Sequence, residues 1–346
     1  MLWKTFLIAP FLFGALPATT NYELSSYGFG SGGTANSTTS NYALEGITGE
    51  ISGQTGTTTN YNLKPGFNET QQANVPKINA FDNGSGRYYN RLHFVIDEQG
   101  NPTDAAYALQ ISTSSTFASG NNYVKNDLTI GPTLTTADYL TYTAWGGATG
   151  SIITTLSPST TYYLRAKATQ GKFTESGYGP SLSASTVNPS ISFTISPTSV
   201  SMGSLLPATV TSAGSSISLT FDTNANSGGD IYINGQNSGL LSGTTGNNIS
   251  TVIPAGGDLS SLSRGFGAQV TATSQTSGGP LTAVSPYSLG SNNVGPTDTT
   301  IRKMITSATQ VNTGTASVLF KAKATSSDKA ANDYKEIVTM LASASF

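Results

Sequence analysis

The sequence has no cysteine among its 346 residues. It can therefore form no disulfide, and it offers no thiolate for catalysis, metal binding or lipid attachment. It also has a single histidine, His93, which excludes a site built from several imidazoles. Because His93 stands between Leu92 and Phe94 in an alternating pattern, we expect an ordinary exposed side chain there rather than a catalytic base.

Charged residues are also scarce. They make up 10% of the chain and leave a formal net charge of -2, whereas average soluble proteins contain about 25%. Ser, Thr, Asn and Gly fill the polar positions instead, and Gly alone accounts for 38 residues. Such a surface steers charged ligands poorly, so the composition argues against nucleic acid or an anionic membrane as a partner.

The carboxylates are scattered along the chain rather than paired. Most lie in predicted turns, where Asp commonly caps its own backbone: Asp82, Asp97, Glu98, Asp104, Asp127 and Asp138. A glycosidase needs two carboxyl groups at a defined separation, which leaves a hydrolytic module as the less favoured alternative. We therefore expect no enzyme activity and no cofactor.

One stretch, residues 222–230, has oxygen-bearing side chains at alternate positions, as a calcium-binding loop does. However, Ser227 stands where such a loop needs glycine, and Ile233 stands where it needs a bidentate glutamate. We interpret the stretch as a strand end followed by an Asn/Gly turn, and we predict no metal site.

The first 18 residues have the pattern of a secretory signal peptide. Residues 1–4 carry a single positive charge at Lys4, and residues 5–14 are apolar. Residues 15–18 offer a small-residue cleavage site, so we expect cleavage after Ala18. The apolar run is shorter than the ~20 residues that a membrane span needs, although a retained anchor remains the alternative. The sequence thus predicts a secreted, extracellular or cell-surface protein, of bacterial type, with no transmembrane segment in the mature chain.

An internal repeat comes after the signal. The pattern Asn-Tyr-x-Leu occurs at residues 21–24, 41–44 and 60–63, with Gly-rich stretches between the copies. A fixed period usually marks repeated supersecondary units, yet each unit has too few apolar residues to form a core alone. We interpret residues 19–74 as short strands that pack on another part of the protein, with a flexible spacer as the alternative.

Residues 75–188 show strand-like alternation, and their most informative part is the run 156–168, Leu-Ser-Pro-Ser-Thr-Thr-Tyr-Tyr-Leu-Arg-Ala-Lys-Ala. This run resembles the fibronectin type III pattern. The resemblance implies a β-sandwich in which Tyr162 forms the tyrosine corner, and in which Leu156 and Pro158 are structural residues of the same corner.

Residues 189–346 alternate in the same way, for example at Ile191, Phe193 and Ile195. The run 195–205, the Thr-Asn-Ala step at 223–225 and the final strand ending at Phe346 resemble a β-sandwich of exported surface proteins of candidate-phylum bacteria, distantly of the WxL type. We expect residues 337–346 to form a strand inside a sheet, paired with residues 318–324, because sequential strands usually pair.

The sequence therefore predicts an all-β fold: tandem antiparallel β-sandwiches of the immunoglobulin or fibronectin III type, at residues 75–188 and 189–346. Aromatic side chains in or near loops of the first sandwich are the candidate contact surface, because such residues suit sugar stacking and protein interfaces: Tyr88, Tyr89, Tyr139, Tyr142 and Trp145.

The favoured function is that of a non-catalytic cell-surface or extracellular protein, acting in adhesion or envelope attachment. Its expected partner is a protein or glycan at a cell surface, and a second copy of the chain is one such protein. Two alternatives remain: a filament subunit assembled by strand exchange, and a carbohydrate-binding accessory module.

Overall fold

The computed structural model describes residues 73–84, 86–170 and 175–346, together with the backbone of four short strands nearer the N-terminus. The predicted signal peptide and most of the repeat region lie outside the described residues. The prediction of an all-β, antiparallel fold is confirmed, since the strands of every described sheet pair in antiparallel fashion and the only helices among the described residues are two single 3-10 turns. Among the described residues, no helix has the length and apolar character needed to cross a membrane.

The four N-terminal strands form two small pairs. β1 (Gly32–Thr38) pairs with β2 (Ala43–Thr48), and β3 (Gly56–Thr57) pairs with β4 (Asn62–Leu63), both antiparallel. The second and third Asn-Tyr-x-Leu copies therefore end in β2 and β4.

The next nine strands form a sandwich, called here the middle sandwich. Its strands are β5 (Lys77–Asp82), β6 (Leu92–Asp97), β7 (Ala106–Ser112), β8 (Asn121–Val124), β9 (Ile130–Gly131), β10 (Leu140–Thr141), β11 (Ser151–Ile153), β12 (Thr161–Thr169) and β13 (Leu182–Ser185). One sheet has the order β13-β12-β7-β8-β9, with β10 also on β7, and the other has the order β11-β6-β5. The two 3-10 turns, Thr136–Asp138 and Gly147–Thr149, lie in the connections.

Strand β12 shows why this sequence forms a sandwich. Its burial alternates residue by residue, with Tyr162, Leu164 and Ala166 facing the core, while Arg165 and Lys167 face outward. Successive side chains of a strand point to opposite faces, so the apolar residues of β12 meet those of β6 and β7 in one core.

The corner before β12 is closed by Tyr162. The Ser157 N–H donates a hydrogen bond to the Tyr162 hydroxyl at 2.9 Å, which is the backbone contact that a tyrosine corner makes. Leu156 is buried in the core, and Pro158 is exposed, with its carbonyl accepting a bond from the Thr160 hydroxyl at 2.8 Å. The corner therefore depends on one hydroxyl group that Phe would lack.

Replacing Tyr162 with Phe is expected to lower the free energy of unfolding of the middle sandwich by about 1–3 kcal/mol, because the Ser157 N–H loses its partner. Urea denaturation followed by circular dichroism measures the change. The Thr160→Val variant, which removes a hydroxyl that is not part of the Tyr162 contact, is the control and should cost less. An unchanged urea midpoint for Tyr162→Phe would show that the hydroxyl does not hold the corner.

The remaining strands form the C-terminal sandwich. They are β14 (Ile191–Ser196), β15 (Val210–Ser212), β16 (Ile217–Thr223), β17 (Gly229–Gly235), β18 (Gly239–Leu241), β19 (Asn248–Ser250), β20 (Gly257–Asp258), β21 (Gly265–Ser274), β22 (Ser277–Gly278), β23 (Thr282–Ala283), β24 (Asn293–Val294), β25 (Arg302–Ser307), β26 (Val311–Lys323) and β27 (Val338–Ala344). The larger sheet has the order β14-β16-β26-β15, with β21 and β22 also on β26. The opposing sheet has the order β23-β25-β17-β27, and the core lies between the two.

The predicted pairing of the terminal strand is wrong. Residues 318–324 lie mostly in β26, which pairs with β16 and β15 on one side and with β21 and β22 on the other, and so has no free edge for a further strand. The chain instead crosses to the opposing sheet, where β27 pairs with β17 over seven residues without a register shift. β27 is therefore an edge strand of its sheet rather than an internal one.

Candidate interaction surfaces

Trp145, predicted to be part of a contact surface, is instead a core residue. It is 1% exposed, its ring meets Phe94 edge-to-face at 5.8 Å, and its indole N–H donates to the Tyr107 carbonyl at 2.8 Å. A large apolar ring that also finds a buried acceptor for its N–H is stable in a core. The prediction is corrected because the turns around Trp145 fold it inward.

Tyr89 is also buried, but between the two sandwiches. Its ring meets the Phe346 ring edge-to-face at 5.5 Å, and its hydroxyl accepts a bond from the Asn226 amide at 3.3 Å. Tyr88 is half-buried beside Arg91, and Tyr142 is half-buried against the middle core. Of the predicted contact group, Tyr139 alone lies in a larger surface cluster, on the outer face of β12.

The contact between the sandwiches uses residues that the sequence placed in a turn. Arg87 pairs with Asp222 at 2.6 Å and also donates to the Asn312 side chain at 3.2 Å. The Asn226 amide donates to the Asn90 side chain at 2.7 Å. The oxygens of the stretch 222–230 are thus directed to the other sandwich and to neighbouring strands, and no group of three potential metal ligands occurs in the described ranges.

The outer face of β12 carries a row of alternating rings and cations, which we call the ladder. Arg165 lies between the Phe117 ring at 3.9 Å and the Tyr178 ring at 4.2 Å. Lys167 comes next, at 5.5 Å from the Tyr178 ring and 5.5 Å from the Tyr139 ring. These distances fall within the range in which a ring face attracts a cation. The ladder therefore consists of three aromatic rings and two cations, in which Phe117 is buried and the two tyrosines are half-buried.

Glu175 completes the ladder at one end. It pairs with Lys167 at 2.5 Å and accepts a short hydrogen bond from the Tyr139 hydroxyl. Burial acts to lower the pKa of Lys167, but its bonds to Glu175 and Tyr139 outweigh this effect and hold the pKa above the ordinary value. Burial raises the pKa of Tyr178 to about 12. The lysine therefore stays charged and the tyrosine stays neutral at every physiological pH.

His93 was expected to be exposed, and it is instead half-buried in a structural contact. Its Nε2 lies 2.9 Å from the Thr149 carbonyl, so this nitrogen carries the proton and donates it. Its Nδ1 lies 3.4 Å from Asp82. The first contact joins the second 3-10 turn to β6, and the second lies between β6 and its partner β5.

The C-terminal sandwich has a groove of about 1150 Å³ at one side, between its two sheets. Ile195 of β14 and Val338 and Met340 of β27 line it, because neither strand has a further neighbour among the described strands to close the space between them. Residues 198–205, 328–332 and 334–336 also line the groove.

Three carboxylates hold the segment 328–336 in place. Asp328 accepts from Arg264 at 2.8 Å, Asp333 accepts from the Ser242 hydroxyl at 2.6 Å, and Glu336 accepts from the Gly239 N–H at 2.7 Å. Hydrogen bonds from Ser242 and Thr244 lower the pKa of Asp333 to about 2, from an ordinary value of 3.8. Since these bonds favour the ionised form, Asp333 stabilises the segment 328–336 only while its carboxylate is charged.

The contribution of Asp333 is expected to disappear in acid. Because the folded-state pKa is lowered, this stabilisation is fully present above pH ~4 and is lost as the pH falls toward ~2. The melting temperature of Asp333→Asn should therefore lie below that of the unaltered protein at pH 6 and converge with it near pH 2. Asp104→Asn, at an exposed loop position of the other sandwich, is the control and should change little at either pH. A difference for Asp333→Asn that stays constant between pH 6 and pH 2 would contradict the assignment.

Comparisons with known proteins do not assign this chain to a family. Neither a protein-family model nor a curated protein sequence matches this chain. Among solved structures, a chitinase from Bacillus thuringiensis matches with 11% identity over 78% of this chain and 28% of its own, at a TM-score of 0.17. An alpha-L-rhamnosidase from Dictyoglumus thermophilum matches with 12% identity over 74% of this chain and 27% of its own, at a TM-score of 0.19. The chain spans under a third of either protein, and similarity at these TM-scores supports no inference about fold or function.

Sequence reasoning missed the ladder, although one signal pointed to it. Arg165 and Lys167 occupy the outward positions of a strand whose inward positions are all apolar. Two cations spaced i and i+2 on one sheet face repel each other unless other groups lie between them. That spacing could have prompted a search for partners, but the rings come from distant loops at Phe117, Tyr139 and Tyr178.

Proposed function

We propose that this chain is a non-catalytic exported protein that acts at a cell surface, in adhesion or in attachment to the envelope. The observation that carries the proposal is the ladder on the middle sandwich. Tyrosine and arginine are enriched among the residues that dominate binding energy at interfaces. In the ladder their side chains are already held by stacking and by Glu175, so a partner would not have to order them.

The chemistry of the ladder suits a neutral or weakly polar partner. Its two cations are balanced in part by Glu175. The Tyr139 and Tyr178 side chains are half-buried and so remain partly exposed, whereas Phe117 is buried. Rings of this kind stack on sugars and pack against protein side chains. The carboxylates of the C-terminal sandwich have structural partners, as Asp222 with Arg87 and Asp230 with Lys303, which supports a binding role over a hydrolytic one.

The contact between the sandwiches supports the same proposal. Arg87, Tyr89 and Asn226 fix the middle sandwich against the C-terminal one through an ion pair, a ring contact and amide bonds. An adhesion protein that presents its binding face at a defined distance and angle needs such a joint. The middle sandwich would contact the partner, and the C-terminal sandwich would carry it.

Binding of the purified chain to a glycan array and to a panel of bacterial cells tests the proposal. The Tyr139→Ala and Tyr178→Ala variants should lose most of the binding, whereas Tyr88→Ala, a half-buried tyrosine of the same sandwich outside the ladder, should keep it. Circular dichroism confirms that each variant is folded. Binding that survives both ladder variants, or new reducing ends released from a polysaccharide panel, would contradict the proposal.

A further inference from the structure

On one side of the C-terminal sandwich, the strand edges are not paired with any other strand that the structure describes. In the sheet β23-β25-β17-β27, one edge is β23, which is two residues long. The other edge is β27, which is seven residues long. Natural proteins protect sheet edges by shortening them, bulging them, or placing charged residues or proline on them. β23 is protected by its length, and β27 has none of these features.

The sequence of β27 and its flanks is uncharged throughout. Residues 337–346 contain no Asp, Glu, Lys, Arg, Pro or Gly, and the pairing of β27 with β17 has no bulge. The neighbouring edge on the same side is β14, whose six residues are likewise uncharged. Both long edges on this side are therefore flat and carry nothing that would repel another strand.

The backbone of β27 has donors and acceptors to offer on this open side. Ile337 and Ser345 make backbone bonds toward Gln236 and Gly228, at the two ends of the β17 pairing. In an antiparallel pair, backbone bonding alternates from residue to residue. Four residues of β27 therefore turn their N–H and C=O groups away from β17: Val338, Met340, Ala342 and Ala344. Within the described part of the chain, β17 is the only strand that pairs with β27.

The side chains of β27 divide in the same regular way. Val338, Met340 and Ala342 pack against the core, while Ile337 and Leu341 lie on the outer face at 55% and 54% exposure. Apolar side chains are therefore exposed next to the unpaired backbone groups. An extended strand laid along β27 would satisfy the backbone and cover Leu341 at the same time.

We propose that β27 pairs in antiparallel orientation with β27 of a second copy of this chain. A twofold axis at Leu341 overlaps all seven residues, so that Met340 meets Ala342 of the copy and Val338 meets Ala344 of the copy. About eight backbone hydrogen bonds then form, because each such pair exchanges two. The strand is its own complement: it offers the same donors and acceptors in reverse order and has no charge to repel itself.

The pairing is symmetric and therefore closed. An interface that uses the same patch on both subunits ends at a dimer, whereas a head-to-tail contact continues into a fibre. Two seven-residue strands with their exposed side chains bury on the order of 1,000 Å², near the lower limit for a specific interface, so the dimer should be reversible. The dimer would present two middle sandwiches and so increase avidity. The proposed dimerisation depends only on β27, however, and does not require that the ladder binds a partner.

Sedimentation of full-chain variants that carry opposite charges at position 341, which lies on the twofold axis, tests the proposal. In the dimer the two Leu341 side chains lie directly opposite each other, where like charges destabilise the pair. Leu341→Lys and Leu341→Glu should each weaken dimerisation at least about tenfold, and an equimolar mixture of the two should restore it. Ile253→Lys, at an apolar loop residue that is 68% exposed, is the matched control and should leave dimerisation unchanged.

A second variant tests the backbone rather than the side chain. Ala342→Pro removes an N–H that points away from β17, a position at which an edge strand tolerates proline, and it should also reduce dimerisation while the melting temperature stays close to that of the unaltered chain. A dimer that both Leu341 variants weaken and their mixture restores supports the proposal. The proposal is overturned if the unaltered chain stays monomeric at ~100 µM, if the chain forms longer polymers, or if Ile253→Lys weakens association as much as the Leu341 variants do.

Discussion

Replacing Trp145 with Ala is expected to lower the free energy of unfolding of the middle sandwich by about 3–5 kcal/mol, the usual cost of emptying a large aromatic site in a core. Trp145 fills the space beside Phe94 and satisfies the Tyr107 carbonyl. The variant loses both the ring contact and the hydrogen bond. This loss is large beside the total stability of an ordinary domain, which is about 5–15 kcal/mol.

Urea denaturation followed by circular dichroism measures the effect. The two cores are separate clusters, so the transition of the middle sandwich should move to lower urea while that of the C-terminal sandwich moves little. Trp145→Phe is the graded control, because it keeps much of the ring and loses the N–H. If Trp145 were a surface contact residue, Trp145→Ala would instead unfold at the same urea concentration and lose only binding.

Removing residues 337–346 is expected to make the protein aggregate. The deletion takes away all of β27, so it strips the edge of β17 and uncovers Ile231 and Ile233, which are fully buried in the intact protein. A newly open edge beside an exposed core pairs readily with other chains. The truncated protein should therefore precipitate or elute in the void volume of a gel-filtration column.

A shorter deletion gives the matched control. Removing only Ser345 and Phe346 leaves β27 in place and takes away the ring contact with Tyr89, so this variant should stay soluble. A soluble, well-folded protein that lacks residues 337–346 would mean that the C-terminal sandwich closes without β27. The filament alternative would then be favoured, because a strand that its own domain does not need can be donated to a neighbouring chain.

Local patterns in the sequence predicted individual strands well. The strand-like alternation of the run 156–168 matches the structure, in which Leu164 and Ala166 are buried and Arg165 points outward, because a strand has only two faces. The same reasoning placed a strand at the C-terminus. The two faces of a strand are set by residues two apart, and these are visible in any single sequence.

The partners of the strands were harder to predict. The terminal strand was assigned to residues 318–324 because they were near in sequence, but both sides of β26 are already occupied, by β16 and β15 on one side and by β21 on the other. Which edge is free depends on the whole sheet rather than on the neighbouring strand. Pairing is therefore a global property, and sequence distance is a weak guide to it.

The prediction for Trp145 was wrong, and the ladder was not predicted, for a related reason. A tryptophan among Thr, Ala and Gly has the local composition of a surface loop, and nothing nearby in sequence shows that Phe94 and Tyr107 leave a space for it. The ladder likewise joins β12 to rings at Phe117, Tyr139 and Tyr178, which lie up to 61 positions apart in the chain. Both features depend on contacts that form only after the strands have been arranged.

The central claim is that the outer edge of β27 is open within one chain and available to another. Amide hydrogen exchange, followed residue by residue by NMR at low protein concentration, tests it most directly. The claim predicts an alternating pattern in which the even-numbered amides exchange fast and the odd-numbered ones are protected by β17, over Val338, Thr339, Met340, Leu341, Ala342, Ser343 and Ala344. Raising the concentration should then protect the even-numbered amides as well. Equal protection of all seven amides at the lowest concentration would contradict the claim, because it would show that the edge is already paired within the chain.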